Sequence, residues 1–413
     1  MEELRVKLIT PEKKETEISL LPALNGKEFP LEVFDKQTIT FSDALSKNIL
    51  QNKDFNRIPA LTALAFWLRK SNIEKITKEN QGLFSAHNTK TLPLGKVLHI
   101  CPSNVDTIFV YSLMISLLAG NKNILRVSSK TQPAFLDFLF ETINSLCKQD
   151  AFSIFSNYIN IVSYPHSTEI STYLSKSVDG RIIWGGDNTA SLFKSITTNP
   201  RCRDIIFADR ISFSVIKCLD YLSTTSETQK ETARKFYNDS YTFDQKGCSS
   251  PQQVFFIGTK DEYEETVSVF FNLVDEIAKI QYDYDEASLG TMKFNELVNE
   301  TIEKGTKSIL HQTAYTYTIE ATENNLKHTC GGGYFYSVNI RSLNEIAEFL
   351  NTKIQTLSYF GLNENDLRSL VPIAKGRGID RIVPIGKALD FDYVWDGYNL
   401  INTLTKALQI QSE

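Results

Sequence analysis

Residues 97–127 read VLHICPSNVDTIFVYSLMISLLAGNKNILRV. A short apolar run, residues 97–101, meets the turn signal Pro102-Ser103-Asn104. From about residue 106 to residue 119 the chain stays apolar for too long to be one strand. It stops at Gly120-Asn121, residue types that suit the left-handed position ending a helix. Residues 123–127 form a second short apolar run. Strand, turn, helix, turn and strand within ~30 residues make a βαβ unit, which requires a parallel sheet and a right-handed crossover.

The alternation continues downstream. A helix is expected over residues 132–147, a strand over 159–162, a helix over 168–176 and a strand over 181–184 that runs into Gly185-Gly186-Asp187 and another helix. Strands at 204–207 and 214–216 precede a helix ending at Tyr241. Residues 243–251 read as a loop and 253–257 as a strand. A second series follows: helix 263–280, strand 334–338, helix 343–350, strand 355–359. Strands alternating with helices in this way predict an α/β fold with helices on both faces of parallel sheets, here in two lobes that change over near residue 245. Upstream, residues 1–90 are harder to read, with one amphipathic helix expected over 60–76.

Composition narrows the function. The 413 residues carry 44 Lys+Arg against 49 Asp+Glu, a net charge of −5, with a pI near 5.7. Such a chain offers no broad phosphate neutralisation, so a general nucleic-acid binder is not expected. The longest apolar run, residues 108–119, falls well short of the ~20 residues a membrane-spanning helix needs. The amino terminus lacks a basic stretch followed by an apolar one, so no signal peptide is read there. The six cysteines are scattered without a CxxC pair, which predicts reduced thiols and a cytoplasmic protein. The five histidines show no HxxxH or HExxH spacing, and no metal site is expected. No GxGxxG, P-loop or GxSxG motif is present.

The cysteines differ in context. Cys101, Cys147 and Cys218 lie in apolar runs and read as inert thiols, as His99 reads as a satisfied core residue. Cys202 stands between Arg201 and Arg203, an electropositive setting. Cys248 lies in FDQKGCSSP, residues 243–251, a loop of small residues that ends directly before a strand. Gly247 permits close approach to the sulfur, and the Cys248 N–H can face a developing oxyanion. A thiolate there suits attack on an acyl carbon; the alternative is a buried cysteine in a tight turn.

DQKGCSSPQ, residues 244–252, resembles the nucleophile loop of the aldehyde dehydrogenase superfamily, and more closely that of LuxC-type acyl-CoA reductases, the fatty acid reductase component of bacterial bioluminescence systems. Further segments resemble the family in the expected order: residues 97–132, GRIIWGGDNTASLF at 180–193, CRDIIFADRISFSVI at 202–216 and GIDRIVPIGKALDFDYVWDGYNLI at 378–401. Together they cover residues 90–405. The resemblance implies an aldehyde-dehydrogenase-like fold. Residues 1–243 would be a Rossmann-type nucleotide-binding lobe and 244–388 a catalytic lobe. Residues 389–413 would return to the first lobe or to a neighbouring subunit of a homo-oligomer.

The same resemblance implies roles. Cys248 would be the nucleophile, and Asn104 the amide that holds the thiohemiacetal oxyanion together with the Cys248 N–H. Arg126 stands where the superfamily carries a lysine facing the adenosine ribose. With Ser128 and Ser129 it would suit a 2′-phosphate, favouring NADPH. Gly185 and Gly186 would let the pyrophosphate approach the backbone at a helix N-terminus. The segment Ile206–Ser212 lacks the glutamate that activates water in oxidising aldehyde dehydrogenases, which favours thioester reduction over aldehyde oxidation. Asp209 and Arg210 are either mechanistic or an ion pair, the superfamily's nicotinamide-ribose contact has no counterpart after residues 333–335, and Cys330 is the alternative nucleophile. The implied activity is NADPH-dependent reduction of a long-chain acyl-CoA to the aldehyde through an acyl-cysteine. Alternatives are an acyltransferase or thioesterase using the same cysteine, a non-catalytic subunit, or a reductase fed by an acyl-protein synthetase or carrier protein.

Overall fold

The structure, a computed structural model, describes residues 4–83, 88–102, 107–128, 133–304, 308–321 and 327–411. It divides into two units, Met1–Ala208 with Phe391–Glu413, and Asp209–Asp390.

The first unit opens with a hairpin, β1 (Arg5–Thr10) and β2 (Lys14–Glu17), that the sequence reading did not contain. Four helices follow: α1 (Pro22–Asn25), α2 (Lys36–Gln51), α3 (Pro59–Leu68) and α4 (Lys70–Glu79). The helix expected over 60–76 is thus two, because Arg69 leaves helical backbone at φ −56°, ψ 140°. After β3 (Thr89–Pro93) the alternation begins: β4 (Lys96–Ile100), α5 (Ile108–Leu118), β5 (Lys122–Val127), α6 (Ala134–Cys147), β6 (Ile159–Ser163), α7 (Thr168–Lys176), β7 (Gly180–Trp184), α8 (Asp187–Ser195) and β8 (Arg203–Phe207). The strand order is β2-β1-β6-β5-β4-β7-β8. Strands β6 to β8 run parallel, and β1 closes one side antiparallel to β6. From β4 the chain winds first one way through β5 and β6, then the other through β7 and β8, so a topological switch point lies between β4 and β7. Every residue of α5 is buried, as an all-round apolar helix demands.

The second unit contains β9 (Ile211–Lys217), α9 (Cys218–Leu222), α10 (Ser226–Tyr241), β10 (Pro251–Ile257), α11 (Lys260–Gln281), α12 (Glu286–Lys304), β11 (Ile309–Gln312), β12 (Tyr317–Glu320), β13 (Tyr334–Ile340), β14 (Ile354–Phe360), α13 (Glu364–Ala374) and β15 (Arg381–Pro384). Its sheet runs β11-β12-β13-β10-β9-β14-β15, parallel except for β11 against β12. The change of unit comes at residue 208, not near 243–245. The reason is that β9 is an inner strand of the second sheet, hydrogen-bonded to β10 and β14. The alternation of strands and helices runs through that point without a break in composition, so nothing in the sequence marks it. The helix expected at 343–350 is a 3₁₀ turn, Leu343–Glu348.

The carboxyl-terminal segment packs with the first unit. Its short hairpin, β16 (Val394–Trp395) and β17 (Tyr398–Asn399), turns at Asp396-Gly397, both at positive φ as a two-residue hairpin loop requires. Helix α14 (Leu400–Thr403) leads to β18 (Thr405–Gln409), which pairs antiparallel with β3. Phe391 stacks on Tyr111 of α5 at 4.9 Å between ring centroids. Asn121 Nδ2 donates to the Leu404 carbonyl at 3.0 Å.

Candidate active site

The loop between α10 and β10 holds two consecutive non-glycine residues in the left-handed region, Asp244 at φ 53° and Gln245 at φ 61°. Such backbone costs on the order of 1–2 kcal/mol per residue and persists only where its surroundings enforce it. Here they do. Gln245 is 1% exposed. Its Nε2 donates to the carbonyls of Pro251 at 2.9 Å and Tyr334 at 3.0 Å. Its Oε1 accepts from the N–H groups of Gly333 at 3.0 Å and Tyr334 at 3.1 Å. The amide thus makes all four bonds open to it. Tyr282 donates its hydroxyl to Asp244 Oδ1 at 2.8 Å, and Gln252 Nε2 reaches the Gln245 carbonyl at 2.6 Å.

This loop is tied to Gly331-Gly332-Gly333, all at positive φ. A Cβ at Gly333 would strike the Tyr241 hydroxyl and the Tyr315 carbonyl, so only glycine fits there. The Lys293 ammonium lies beneath, donating to the Tyr315 carbonyl at 2.8 Å and the Gly332 carbonyl at 2.6 Å. Burial pulls its pKa down to about 8.

Cys248 stands on this loop and is exposed, unlike the other five cysteines. Burial pushes Cys101, Cys147 and Cys330 up to about 12 and Cys202 and Cys218 up to about 11, which keeps them as thiols. The electropositive setting read for Cys202 does not form. The Arg203 guanidinium turns away to the carbonyls of Thr403 and Thr405, and Asp204 and Asp179 add to the effect of burial. At Cys330 the carboxylates of Glu296 and Glu300 add likewise, so the alternative nucleophile is poorly activated. Beneath Cys248, Ser212 donates its hydroxyl to the Cys248 carbonyl at 2.6 Å, and Ser249 donates to Gln355 Oε1 at 2.8 Å. Arg210, just before β9, pairs with Asp380, just before β15, and donates to the Ile354 carbonyl of β14 at 2.7 Å, which ties the start of β9 to that edge of the sheet.

In the first unit the described nucleotide-site candidates lie at the carboxyl ends of strands flanking β4. Arg126 is the penultimate residue of β5, with its guanidinium 5.1 Å from the Tyr164 ring centroid. Its Nε is buried and has no hydrogen-bond partner among the described residues, a donor that suits an anionic ligand oxygen. Ser128 follows it. Gly185 and Gly186 follow the end of β7. Gly185 N–H is held by the Phe207 carbonyl at 3.1 Å, and Gly186 caps α8 without a side-chain hydrogen bond. The first turn of α8 carries Asp187, an acidic residue at the position where a pyrophosphate would approach. Asn104 and Ser129 lie outside the described residues. A dinucleotide phosphate therefore fits the Arg126 side of this switch point better than the α8 side. His99 sits inside the unit as a core residue. Its Nδ1 pairs with Ser112 Oγ at 2.7 Å and its Nε2 with Asn123 Oδ1 at 3.0 Å, and burial pulls its pKa down to about 4.

Ser212, Gln245 and Lys293 were not among the residues singled out from the sequence. Gln245 lay inside the quoted loop, but nothing in its residue type marks a buried clasp. Among the described residues no group of three His, Cys, Asp or Glu side chains could hold a metal ion, and no helix is long and apolar enough to cross a membrane.

Comparison with known proteins places this geometry. The chain is 27% identical over 210 residues to long-chain acyl-protein thioester reductase 2 of Photobacterium leiognathi, covering 50% of this chain and 40% of that one. It is 23% identical over 305 residues to the long-chain acyl-protein thioester reductase of Photorhabdus laumondii, covering 72% and 59%. The chain thus spans only part of the length of the curated relatives it matches. Its fold is similar to that of aldehyde dehydrogenase 21 from Physcomitrella patens, solved with the reaction product succinate, at a TM-score of 0.65 and 11% identity over 98% of this chain and 93% of that one. A mutant of aldehyde dehydrogenase C from Pseudomonas syringae, complexed with NAD+ and octanal, matches at a TM-score of 0.60 and 9% identity over 92% and 85%. The fold is therefore aldehyde-dehydrogenase-like, with a Rossmann-type first unit. Residues 37–407 match the family described as acyl-CoA reductase (LuxC), and to that family this chain belongs.

Proposed function

We propose that the protein reduces a long-chain acyl thioester to the aldehyde, with NADPH as reductant and Cys248 as the covalent carrier of the acyl group. The observation that carries this reading is the contrast among the thiols: Cys248 alone is exposed, on an anchored loop, while burial holds the other five protonated. The Cys248 thiolate attacks the thioester carbonyl, the bond to the donor sulfur breaks, and the donor leaves as a thiol after taking a proton. The Cys248 N–H and Asn104 would hold the oxygen as it gains negative charge. NADPH, when bound, supplies the hydride that the acyl carbon needs. Collapse of the thiohemiacetal then breaks the carbon–sulfur bond, releases the aldehyde and returns the Cys248 thiolate.

Arg126, Ser128 and Ser129 would take the adenosine 2′-phosphate, a role supported by the buried Arg126 Nε, which has no partner among the described residues. Residues Ile206–Ser212 contain no glutamate of the kind that activates water in oxidising aldehyde dehydrogenases, so the acyl-enzyme would hydrolyse slowly. The relatives are named for acyl-protein thioesters, which makes an acyl group handed over by an acyl-protein synthetase or carrier a second donor beside acyl-CoA. The reduced thiols suit the cytoplasm. Mass spectrometry after incubation with butanoyl- to palmitoyl-CoA, without cofactor, is expected to show an adduct on Cys248, and added NADPH is expected to remove it as aldehyde. An adduct elsewhere overturns the mechanism. An adduct on Cys248 that NADPH leaves untouched selects an acyltransferase or thioesterase.

A further inference from the structure

Ser212 lies where the sheet of the second unit is broken on both sides. Against β10, the pairing steps from Ser212–Pro251 to Phe213–Gln253, so Gln252 has no partner on β9. Against β14, it steps from Ile211–Ile354 to Phe213–Leu357, so Gln355 and Thr356 together face Ser212. Bulges of this kind re-aim side chains and recur beside active sites. Both extra glutamines are re-aimed here: Gln252 toward the Gln245 carbonyl, Gln355 toward the Ser249 hydroxyl.

The slip also leaves Thr356 N–H off the ladder, and it donates to Ser212 Oγ at 3.1 Å. With that oxygen occupied as acceptor, the Ser212 hydroxyl proton points at the Cys248 carbonyl, 2.6 Å away. Ser212 is 1% exposed and stands on an inner strand, so it is a fixed post under an exposed loop residue. We infer that Ser212 is a positioning residue for Cys248: by holding the Cys248 carbonyl it fixes the plane of the Cys248–Ser249 peptide, and so the direction in which the thiol leaves the loop. The inference rests on the proposed acylation of Cys248. Aim matters because a nucleophile displaced by ~1 Å loses on the order of 10²-fold in rate.

The test uses the full chain as Ser212→Ala and Ser212→Thr, with single-turnover acylation by a long-chain acyl-CoA followed by mass spectrometry. In parallel, Cys248 is alkylated with iodoacetamide, a small reagent that needs an accessible thiolate but no aimed approach. Ser212→Ala is expected to acylate ~10- to 100-fold more slowly than wild type, with alkylation and melting temperature little changed. Ser212→Thr, which keeps the hydroxyl, is expected to recover most of the acylation rate. Equal acylation in Ser212→Ala and wild type overturns the inference. So does a loss of acylation matched by a fall in melting temperature and alkylation of the buried cysteines, which marks a purely structural role. A folded Ser212→Thr as slow as Ser212→Ala also overturns it. A wild type that no thioester acylates overturns the proposed function first, and the inference with it.

Discussion

The two sheets are built from the same alternation, yet they prepare their functional ends in opposite ways. In the first unit the floor under the switch point is regular and mostly apolar: α5 is buried throughout, the β4–β5 and β4–β7 ladders run without a slip, and the polar groups there are confined to the small network around His99 and Ser112. What it offers a ligand is backbone at strand ends, with one arginine. In the second unit the floor is polar and irregular. Both ladders of β9 slip, Gln252 and Ser212 bond the backbone beside them, and Gln245 and Lys293 hold the neighbouring loops with side-chain hydrogen bonds. A cofactor that lies along strand ends needs only a standard edge, whereas a nucleophile must be aimed, and aim comes from side chains that override the ladder.

The sharpest test of this contrast is Cys248→Ala. It should abolish acylation and NADPH consumption, by at least ~10³-fold, because no second activated thiol stands in. Stability should change by no more than ~0.5 kcal/mol, since the side chain is exposed; calorimetry and a spectrophotometric assay check both. Gln245→Ala should destabilise the second unit by about 2–4 kcal/mol in urea unfolding, as it leaves buried backbone groups around Gly333 and Tyr334 unpaired.

Lys293→Met probes the same floor through pH. The folded protein releases the Lys293 proton near pH 8, below the ordinary 10.5, so between those values the unfolded chain binds more protons. Wild type should therefore gain stability relative to Lys293→Met as pH rises from 8 to 10.5, by at most about 3 kcal/mol, and show no difference in slope below 8. A flat difference across that window would place the ammonium in contact with water.

In the regular unit, Ser112→Ala should cost about 1–2 kcal/mol, because Ser112 Oγ joins His99 Nδ1 to the Trp184 indole N–H, 3.0 Å away. The smallest effect belongs to Arg126→Ala. With no partner for Nε among the described residues, its removal should leave stability within ~0.5 kcal/mol. If NADPH is the reductant as proposed, the substitution should weaken NADPH binding relative to NADH by ~10-fold in titrations.

The same contrast explains what could be read from sequence. β4, α5 and β5 were legible because strand and helix periods, a glycine stop and apolar runs are local signals that the regular unit obeys. The amino-terminal hairpin, β3 and β18 were not, since their short strands are identified by partners far along the chain, such as β1 against β6. The Cys248 loop was visible from its small residues and its resemblance to a known loop. Its supports were not: Ser212 falls just before the strand expected at 214–216, Gln245 is one polar residue among several in the expected loop, and Lys293 lies between the helix expected at 263–280 and the strand expected at 334–338, where no element was read. Their roles arise only when bulges and positive-φ residues bring distant segments together.

The pairing of β18 with β3 has a consequence for how the chain is made. Residues 391–409 complete the first unit, yet they are synthesised after all of Asp209–Asp390. The second unit, continuous in sequence, can condense as it emerges from the ribosome. The first must wait until Phe391 arrives to stack on Tyr111 and pack against Trp67. During translation, then, the unit that begins first is finished last, and the aromatic face that Phe391 completes is where a nascent chain would most need a chaperone.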